Sequence, residues 1–384
     1  MSFEFLHPIS EDILAEVESL HKSTLGKQLS FHTANDFPDL TEIKIAIIGV
    51  LESRRSVREN DVPFNFNHIR KEFYKLYAGN WNERIADLGD IYAGDSVDDT
   101  YFLLKQVTED LLNRSIIPII LGGSQDLAYA QYRAYDDYGQ MVNLVNVDAQ
   151  FDLGDTEQDL CNKSYVGKMV VNEPYNLFNY ANIGYQTYFN AQEEINLIDK
   201  LFFEAYRLGE ISSDITLAEP VMRDANFVTL DVTSVAMTNV NPSMPNGFSG
   251  KEICALSRYA GISDKVSSLG IYEIQDLDLT KNSAMLVSQI LWYFIEGVNF
   301  RKKEYNNSFL KEFTKFTVPL ENEHLVFYRS EISGRWWVEI PNSKNFNNKL
   351  NKQSLLSCSH QDYLDACNQV IPERWFKAYR KNEI

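Results

Sequence analysis

The stretch MVNLVNVDAQFDLGD at residues 141–155 decides the fold, because a short apolar run passes directly into a pair of aspartates. The run is rich in β-branched residues and nearly continuous in apolar ones, which is typical of a parallel strand covered on both faces. Asp148 and Asp152 follow at its carboxyl end, where open α/β sheets bind their ligands. Between the two aspartates, a metal enzyme would be expected to carry a residue with a nitrogen donor. In this chain that position is occupied by Gln150.

Five further runs of the same kind indicate strands at residues 43–50, 115–123, 180–185, 226–232 and 267–274. Helical patterns lie between them at residues 98–114, 191–210 and 251–261, and residues 284–298 indicate a buried helix. Strands that alternate with helices over about 250 residues predict a doubly wound or barrel α/β fold. The carboxyl ends of its strands then bring GGSQD (122–126), DAQFD (148–152) and DVT (231–233) to one rim.

The pattern changes after residue 298. Residues 325–341 predict a hairpin with its turn near Ser333 and Gly334, residues 342–358 a polar loop, and residues 360–379 a terminal helix interrupted at Pro372. We therefore predict an α/β domain at residues 1–298. We also predict a C-terminal hairpin-helix extension at residues 299–384, packed on the same domain.

Composition excludes several classes of partner. The chain has 384 residues and a formal net charge of −18, which argues against nucleic acid and against anionic membrane surfaces. Four scattered cysteines without Cys-x-x-Cys spacing give neither a zinc site nor a disulfide framework, so we expect a reducing compartment, the cytoplasm. We expect no targeting segment and no membrane span. A small ligand, a protein partner and a homo-oligomer all remain open.

The three rim motifs, LGG-x-x-D (121–126), DA-x-x-D (148–152) and LDV-x (230–233), resemble those of the ureohydrolases: arginase, agmatinase and formimidoylglutamase. The segments IIGV, FNFNHIRKEF and IADLGDI, at residues 47–50, 64–73 and 85–91, look like the first βαβ unit of that family. The resemblance spans roughly residues 43–298. It implies a three-layer α/β/α fold with a mostly parallel central sheet, and hydrolysis of guanidinium or amidine C–N bonds by two manganese ions.

The resemblance also implies two substrate-side acids. Residues 241–252, NPSMPNGFSGKE, resemble the family's loop that leads to a guanidinium-binding carboxylate, which matches Glu252. An acid in the first turn of a helix is also common because it stabilises the helix dipole, so both interpretations of Glu252 stay open. Glu273 matches a family acid that faces the site from a strand end, and a salt-bridged structural acid is the alternative.

The metal ligands that the resemblance implies are only half retained. Three carboxylates survive, whereas the two imidazole positions carry glutamine and one carboxylate position carries threonine. The retained acids are Asp148, Asp152 and Asp231, and the altered positions are Gln125, Gln150 and Thr233. The chain has six histidines, and none lies between residues 69 and 323: His7, His21, His32, His68, His324 and His360.

Two functions follow from these losses. The first is a metal-depleted arginase- or formimidoylglutamase-like homologue without the manganese pair, acting as a non-catalytic binding or scaffold protein. The alternative is an active hydrolase of linear amidines that uses an altered single-metal site, in which Gln125 and the three aspartates give an oxygen-only pocket suited to Mg²⁺ or Ca²⁺. In either case the crowded aspartates must hold a hard cation, share protons or meet a basic side chain.

Overall fold

A computed structural model describes residues 2–57, 64–236, 244–274, 281–304, 313–321, 323–341 and 355–383. Its largest element is a sheet in which every neighbouring pair of strands is parallel. The strands of this sheet are β1 (Ser30–Phe31), β2 (Ile43–Leu51), β3 (Arg84–Tyr92), β4 (Ile117–Gly122), β5 (Val142–Val147), β6 (Leu177–Tyr185), β7 (Glu204–Arg207), β8 (Phe227–Asp231) and β9 (Ser268–Tyr272). Their order across the sheet is β1-β3-β2-β4-β9-β8-β5-β6-β7.

Helices cover both faces of the sheet. They are α1 (Glu11–Glu18), α2 (Asn67–Lys75), α3 (Val97–Asn113), α4 (Leu127–Arg133), α5 (Tyr165–Val171), α6 (Gln192–Lys200), α7 (Leu208–Ser213), α8 (Ala218–Asp224), α9 (Gly250–Ile262) and α10 (Lys281–Asn299). None of the described helices combines the length and the apolar character that a bilayer crossing needs.

Alternation along the strands divides the core into two apolar clusters. Ile45 and Ile47 of β2 pack in one cluster with α1, α2 and α7–α10, whereas Ala46 and Ile48 pack in the other with α3–α6. Both faces of each central strand are therefore buried, which explains why the strands carry apolar residues at successive positions. The predicted three-layer α/β/α fold with a parallel central sheet is confirmed.

One predicted element is wrong. Residues 191–210 do not form a single helix: α6 ends at Lys200, the edge strand β7 follows, and α7 begins at Leu208. Phe202 lies between α6 and β7 with φ at +54°, a left-handed conformation that a helix cannot continue through. The helical pattern of this segment was produced by two short helices on either side of a four-residue strand.

The C-terminal residues form a second, antiparallel sheet. Its order is β10 (Phe313–Pro319), β11 (His324–Ser330), β12 (Trp336–Glu339) and β13 (Leu355–Cys358), and two helices, α11 (His360–Cys367) and α12 (Glu373–Glu383), complete the extension. Strands β11 and β12 are the predicted hairpin, with Gly334 at φ +73° in its turn. Residues 342–354 of the predicted polar loop lie outside the described residues, and residues 355–358 are β13. The domain division at residues 298 and 299 stays a prediction.

Buried charges join the extension to the parallel sheet. The Arg374 guanidinium of α12 contacts Glu204 of β7 at 2.7 Å and Asp224 of α8 at 3.1 Å. Asp224 also accepts hydrogen bonds from the main-chain N–H and the hydroxyl of Ser357 in β13, at 3.0 and 2.8 Å. The second sheet is thus held to the end of the first by charge-assisted hydrogen bonds.

Candidate functional site

The candidate site lies where four neighbouring strands end. Strands β4, β9, β8 and β5 are adjacent in the sheet and parallel, so their carboxyl ends meet at one rim. Gln125 follows β4, Glu273 follows β9, Asp231 ends β8 and Asp148 follows β5, and all four are buried. The three sequence motifs, at residues 122–126, 148–152 and 231–233, are therefore brought together at one rim, as strand polarity predicts.

The second glycine of GGSQD permits the close backbone approach that positions Gln125. The Gly123 N–H donates to Val50 O at 3.1 Å, and the Ser124 N–H donates to Glu52 O at 3.1 Å. A Cβ atom at Gly123 would lie 2.0 Å from Glu52 O, so only glycine fits there. The turn after β4 is consequently fixed against the end of β2, and Gln125 is fixed with it.

Asp148 and Asp152 face one another at the end of β5. Asp148 Oδ1 accepts a hydrogen bond from the Gln150 N–H at 2.9 Å, and Asp152 adopts a left-handed conformation with φ at +53°. Burial, and next the charge of Asp152, raises the pKa of Asp148 well above its ordinary value. Burial likewise raises the pKa of Asp152. Both carboxyl oxygens of Asp152 are buried and have no hydrogen-bond partner among the described residues, and crowding of the two acids favours their protonated forms.

Lys163 brings a positive charge to these acids. Its Nζ lies 3.2 Å from Asp152 Oδ1, and its side chain is 29% exposed while that of Asp152 is 0% exposed. Burial lowers the pKa of Lys163, but the charges of Asp152, Asp148, Asp231 and Glu273 outweigh burial and hold it above its ordinary value. Lys163 is therefore protonated, and its ammonium compensates part of the negative charge. Of the three ways to relieve the crowded acids, the described residues provide a basic side chain, and the raised pKa values of Asp148 and Asp152 favour protonation.

Asp231 and Thr233 are joined by a local turn. Residues Val232–Ser234 form a 3₁₀ turn directly after β8, and the Thr233 N–H donates to Asp231 Oδ1 at 2.6 Å. Burial, and next the charge of Asp148, raises the pKa of Asp231 to about 7. Asp231 Oδ2 is buried and accepts no hydrogen bond from the described residues.

Gln125 is hydrogen-bonded into a buried polar network. Its main-chain N–H donates to Glu273 Oε1 at 2.8 Å, and its Nε2 donates to Asn146 Oδ1 at 3.0 Å and to the Tyr165 hydroxyl at 2.9 Å. Gln125 Oε1 is buried without a hydrogen-bond partner in the described part of the chain. Both amide protons are used within the protein, so the side chain can offer a ligand only its single carbonyl oxygen.

The side chain of Gln150, unlike that of Gln125, forms its hydrogen bond with a loop outside the network of rim residues. Its Nε2 donates to Phe189 O at 3.2 Å, in the loop after β6, and the side chain is half-buried. The other imidazole position of the resemblance is thus occupied by an amide that binds a loop carbonyl.

The two predicted substrate-side acids have different surroundings. Glu252 lies in the first turn of α9, and its Oε2 accepts hydrogen bonds from the N–H and the hydroxyl of Ser249, both at 2.7 Å. This pair is a capping box, in which side chains satisfy the free N–H groups at a helix start. Glu273 lies at the rim and accepts a hydrogen bond from Asn162 Nδ2 at 2.9 Å as well as from Gln125. A substrate-side role for either acid stays a prediction.

These residues do not fit a pair of manganese ions. Two adjacent divalent cations need several carboxylates free to bridge them, and imidazoles favour manganese over Mg²⁺ or Ca²⁺. Here one aspartate is paired with Lys163, and no histidine lies between residues 69 and 323. Among the described residues, no group of three or more His, Cys, Asp or Glu side chains has the arrangement that could hold a metal ion.

Comparison with known proteins gives the family. Residues 43–296 match the model described as the arginase family. The chain belongs to the arginase family. A formimidoylglutamase of Staphylococcus aureus strain JH9 is 23% identical over 242 residues, which cover 59% of this chain and 77% of that protein.

Solved structures of the arginase family share the fold. A Trypanosoma cruzi formiminoglutamase, solved with Mn²⁺, has a TM-score of 0.62 at 17% identity, and the match covers 72% of this chain and 99% of that one. A Bacillus subtilis formimidoylglutamase has a TM-score of 0.61 at 20% identity over 69% of this chain and 90% of that one. The family match ends before β10, so the C-terminal sheet lies outside it.

Sequence reasoning missed two residues that contact the rim acids. Lys163 and Asn162 lie in the segment NKSY at residues 162–165, which contains no histidine. The signal that could have found Lys163 was electrostatic: buried acids without a metal require a cation, and Lys163 follows the second acid by 11 positions in the same loop region. Tyr165, which is fully buried, gave no comparable signal.

Proposed function

We propose that this member of the arginase family does not assemble a manganese pair and does not hydrolyse guanidinium or amidine bonds, and that it acts as a binding or scaffold protein. The observation that carries the proposal is the state of the two former imidazole positions. Gln125 and Gln150 stand there, and their amide nitrogens donate to oxygen atoms of the protein itself.

Hydrolysis of a C–N bond by water needs an activated nucleophile. A pair of divalent metals makes hydroxide available at neutral pH by lowering the pKa of a bridging water. Without that pair the rim must supply a general base and a proton shuttle from its own side chains. Burial and crowding raise the pKa values of Asp148 and Asp152, Asp152 is paired with Lys163, and no histidine is present in the segment that holds the rim motifs. The rim therefore has no histidine for either role, and its acids are buried and crowded around one lysine.

The alternative function is hydrolysis of linear amidines with one hard cation. Buried rim oxygens support it, because Gln125 Oε1, Asp231 Oδ2 and both carboxyl oxygens of Asp152 accept no hydrogen bond from the described residues, and such oxygens would suit Mg²⁺ or Ca²⁺. Against it stands the ammonium of Lys163, which repels a cation at the same acids.

Metal content and turnover test the proposal together. The full chain is incubated with Mn²⁺, freed of excess metal by gel filtration and analysed for manganese. It is then assayed for urea or formamide release from arginine, agmatine, guanidinobutyrate and formimidoylglutamate. We expect fewer than two manganese ions per chain and no turnover.

Asp148→Ala decides whether any observed turnover belongs to this site, and Asp137→Ala, an exposed aspartate away from the rim, is the matched control. Two manganese ions per chain, with turnover that Asp148→Ala abolishes and Asp137→Ala retains, would overturn the proposal. Turnover that depends on Mg²⁺ or Ca²⁺ and is lost in the same variant would establish the alternative.

The proposed setting of this function is the cytoplasm. The four cysteines are unpaired, with Cys254 and Cys358 buried, Cys161 half-buried and Cys367 exposed. Free thiols persist where glutathione and thioredoxin keep them reduced. The partner of the proposed binding role would be a small ligand or a protein, because the net charge of −18 disfavours polyanions.

A further inference from the structure

We infer that the Lys163 ammonium is a built-in cation that stands in for the family's metal pair, holding together an acid cluster formed by Asp148, Asp152, Asp231 and Glu273. The inference rests on the proposed function, since a metal pair and this ammonium would compete for the same carboxylates. It goes further because it says what stabilises the cluster instead and which segment of the chain provides it.

Charge and burial require such a cation. All four acids of the cluster are buried, with exposed fractions between 0% and 3%. Buried carboxylates are retained only when they are paired, protonated or bound to a metal. Lysine suits this position because its ammonium is a compact point charge on a flexible stem, with three donors that several acceptors can share. Its contact with Asp152 Oδ1 at 3.2 Å is an ion pair with a fully buried partner.

The chain around Lys163 is fastened to the rim on both sides. Asn162 Nδ2 donates to Glu273 Oε1 at 2.9 Å, and Asn162 Oδ1 accepts a hydrogen bond from the Val57 N–H at 3.0 Å. Tyr165 accepts a hydrogen bond from Gln125 Nε2 at 2.9 Å, and the Val166 N–H donates to Asp152 O at 3.2 Å. Through their side chains, residues 162–165 (NKSY) therefore contact residues that follow three of the rim strands, β4, β5 and β9.

This arrangement differs from a metal centre in one measurable way. An exchangeable metal stabilises the folded state only when it is bound, so chelators and added metal change the unfolding temperature. A cation that is part of the chain cannot be removed. The wild-type protein is thus expected to show the same unfolding midpoint with EDTA and with Mn²⁺, Mg²⁺ or Ca²⁺ added.

Lys163→Met removes the charge while keeping most of the apolar stem, and Lys168→Met is its matched control. Lys168 lies five positions along in α5, is also half-buried, and donates to Thr156 O at 2.7 Å rather than to an acid. Leaving a buried charge without its partner is more costly than losing a hydrogen bond to a carbonyl. We expect Lys163→Met to lower the unfolding midpoint by several degrees more than Lys168→Met.

Asp152→Asn completes a double-mutant cycle. Removing the acid in the Lys163→Met background relieves the uncompensated charge, so the double variant should recover part of the midpoint lost in the single one. The double variant also keeps the inference testable if Lys163→Met alone does not fold.

Divalent cations provide the second readout. Mg²⁺, Ca²⁺ or Mn²⁺ added to Lys163→Met should raise its midpoint, because the acids are then free to bind a cation, and should leave the wild type and Lys168→Met unchanged. The inference is overturned if Lys163→Met and Lys168→Met unfold alike with no coupling to Asp152→Asn, or if the cations stabilise the wild type as strongly as Lys163→Met. Two bound manganese ions with turnover in the wild type would instead refute the proposed function.

Discussion

Several charged side chains in the core of this protein are buried in contact with side chains of opposite charge. Arg70 of α2 is 2% exposed, and its guanidinium donates to both oxygens of Asp87, at 3.0 and 3.1 Å, and to Asp90 at 2.9 Å. Tyr74, one turn further along α2, donates to Asp87 at 2.7 Å. The planar guanidinium forms two parallel hydrogen bonds with a carboxylate, which a lysine could not do.

Arg70→Met is predicted to be among the most destabilising single substitutions. It leaves Asp87 and Asp90 buried without their cation, at a cost of about 3–5 kcal/mol in the free energy of unfolding. Arg84→Met is the control, because the Arg84–Glu42 pair is 68% and 66% exposed and contributes less than about 1 kcal/mol. Urea unfolding of both variants measures the difference, and equal losses would contradict the argument.

Restoring the family's donors tests the rim residue by residue. The triple variant Gln125→His, Gln150→His, Thr233→Asp supplies the missing imidazoles and acid but retains the Lys163 ammonium. We expect it to bind fewer than two manganese ions per chain, because the ammonium repels divalent cations at Asp152. Adding Lys163→Ala should raise the manganese content measured by elemental analysis. A triple variant that already binds two ions would show that Lys163 does not block the site.

Single residues explain how far the candidate site could be predicted. Asp148, Asp231 and Gln125 were placed together correctly, because strand polarity alone brings their motifs to one rim. The partners of those residues were not predictable in the same way. Lys163 contacts Asp152 from a loop, where neither strand nor helix periodicity fixes a side chain's direction, and the amide of Gln150 contacts a carbonyl 39 positions away.

The first turn of α9 is stabilised by the hydroxyl group of Ser249. Ser249 Oγ accepts a hydrogen bond from the Glu252 N–H at 3.3 Å, and the Glu252 carboxylate accepts hydrogen bonds from the N–H and the hydroxyl of Ser249. Burial would raise the pKa of Glu252, but the hydrogen bonds from Ser249 hold it below its ordinary value.

Ser249→Ala is predicted to lower the free energy of unfolding by about 1 kcal/mol, because it removes the side-chain half of the cap. Ser10→Ala is the matched control, since Ser10 precedes α1 without a side-chain capping hydrogen bond and should change stability by less than about 0.5 kcal/mol. Thermal unfolding of the two variants compares them. If Ser10→Ala is the costlier change, the capping box is not what stabilises α9.

Elements at the edge of the sheet were the hardest to predict. The buried strands β2, β4, β5, β8 and β9 carry continuous apolar runs, so their positions follow from the sequence. In β7 the sequence EAYR has no such run, and Glu204 is buried there because Arg374, 170 positions later, pairs with it. Because the partner of Glu204 is so distant in the sequence, the local sequence of β7 does not show that this segment forms a strand.

At the scale of the whole molecule, the acids that bind Arg374 connect the C-terminal extension to the parallel sheet. Burial alone would raise the pKa values of Asp224 and Glu204. Lys265 and Arg374 beside Asp224, and Arg374 and Lys381 beside Glu204, instead lower both below their ordinary values. The two acids are therefore more acidic in the folded protein than in the unfolded chain, and their ionisation favours the folded state.

The attachment of the C-terminal sheet is predicted to be sensitive to acid. The stabilisation from Asp224 and Glu204 is fully present above the ordinary carboxyl values of about 4. This stabilisation is lost as pH falls through the lowered pKa values of Asp224 and Glu204, because the unfolded chain binds protons at a higher pH than the folded protein does. Hydrogen exchange of β13 and α12 between pH 7 and pH 3 measures this loss of stabilisation.

Arg374→Met should speed exchange at pH 7 and weaken the dependence of exchange on pH below pH 4. Lys377→Met in the same helix, whose partner Glu373 is 79% exposed, should leave both unchanged. If the two variants have the same pH profile, the buried acids do not hold the second sheet in place.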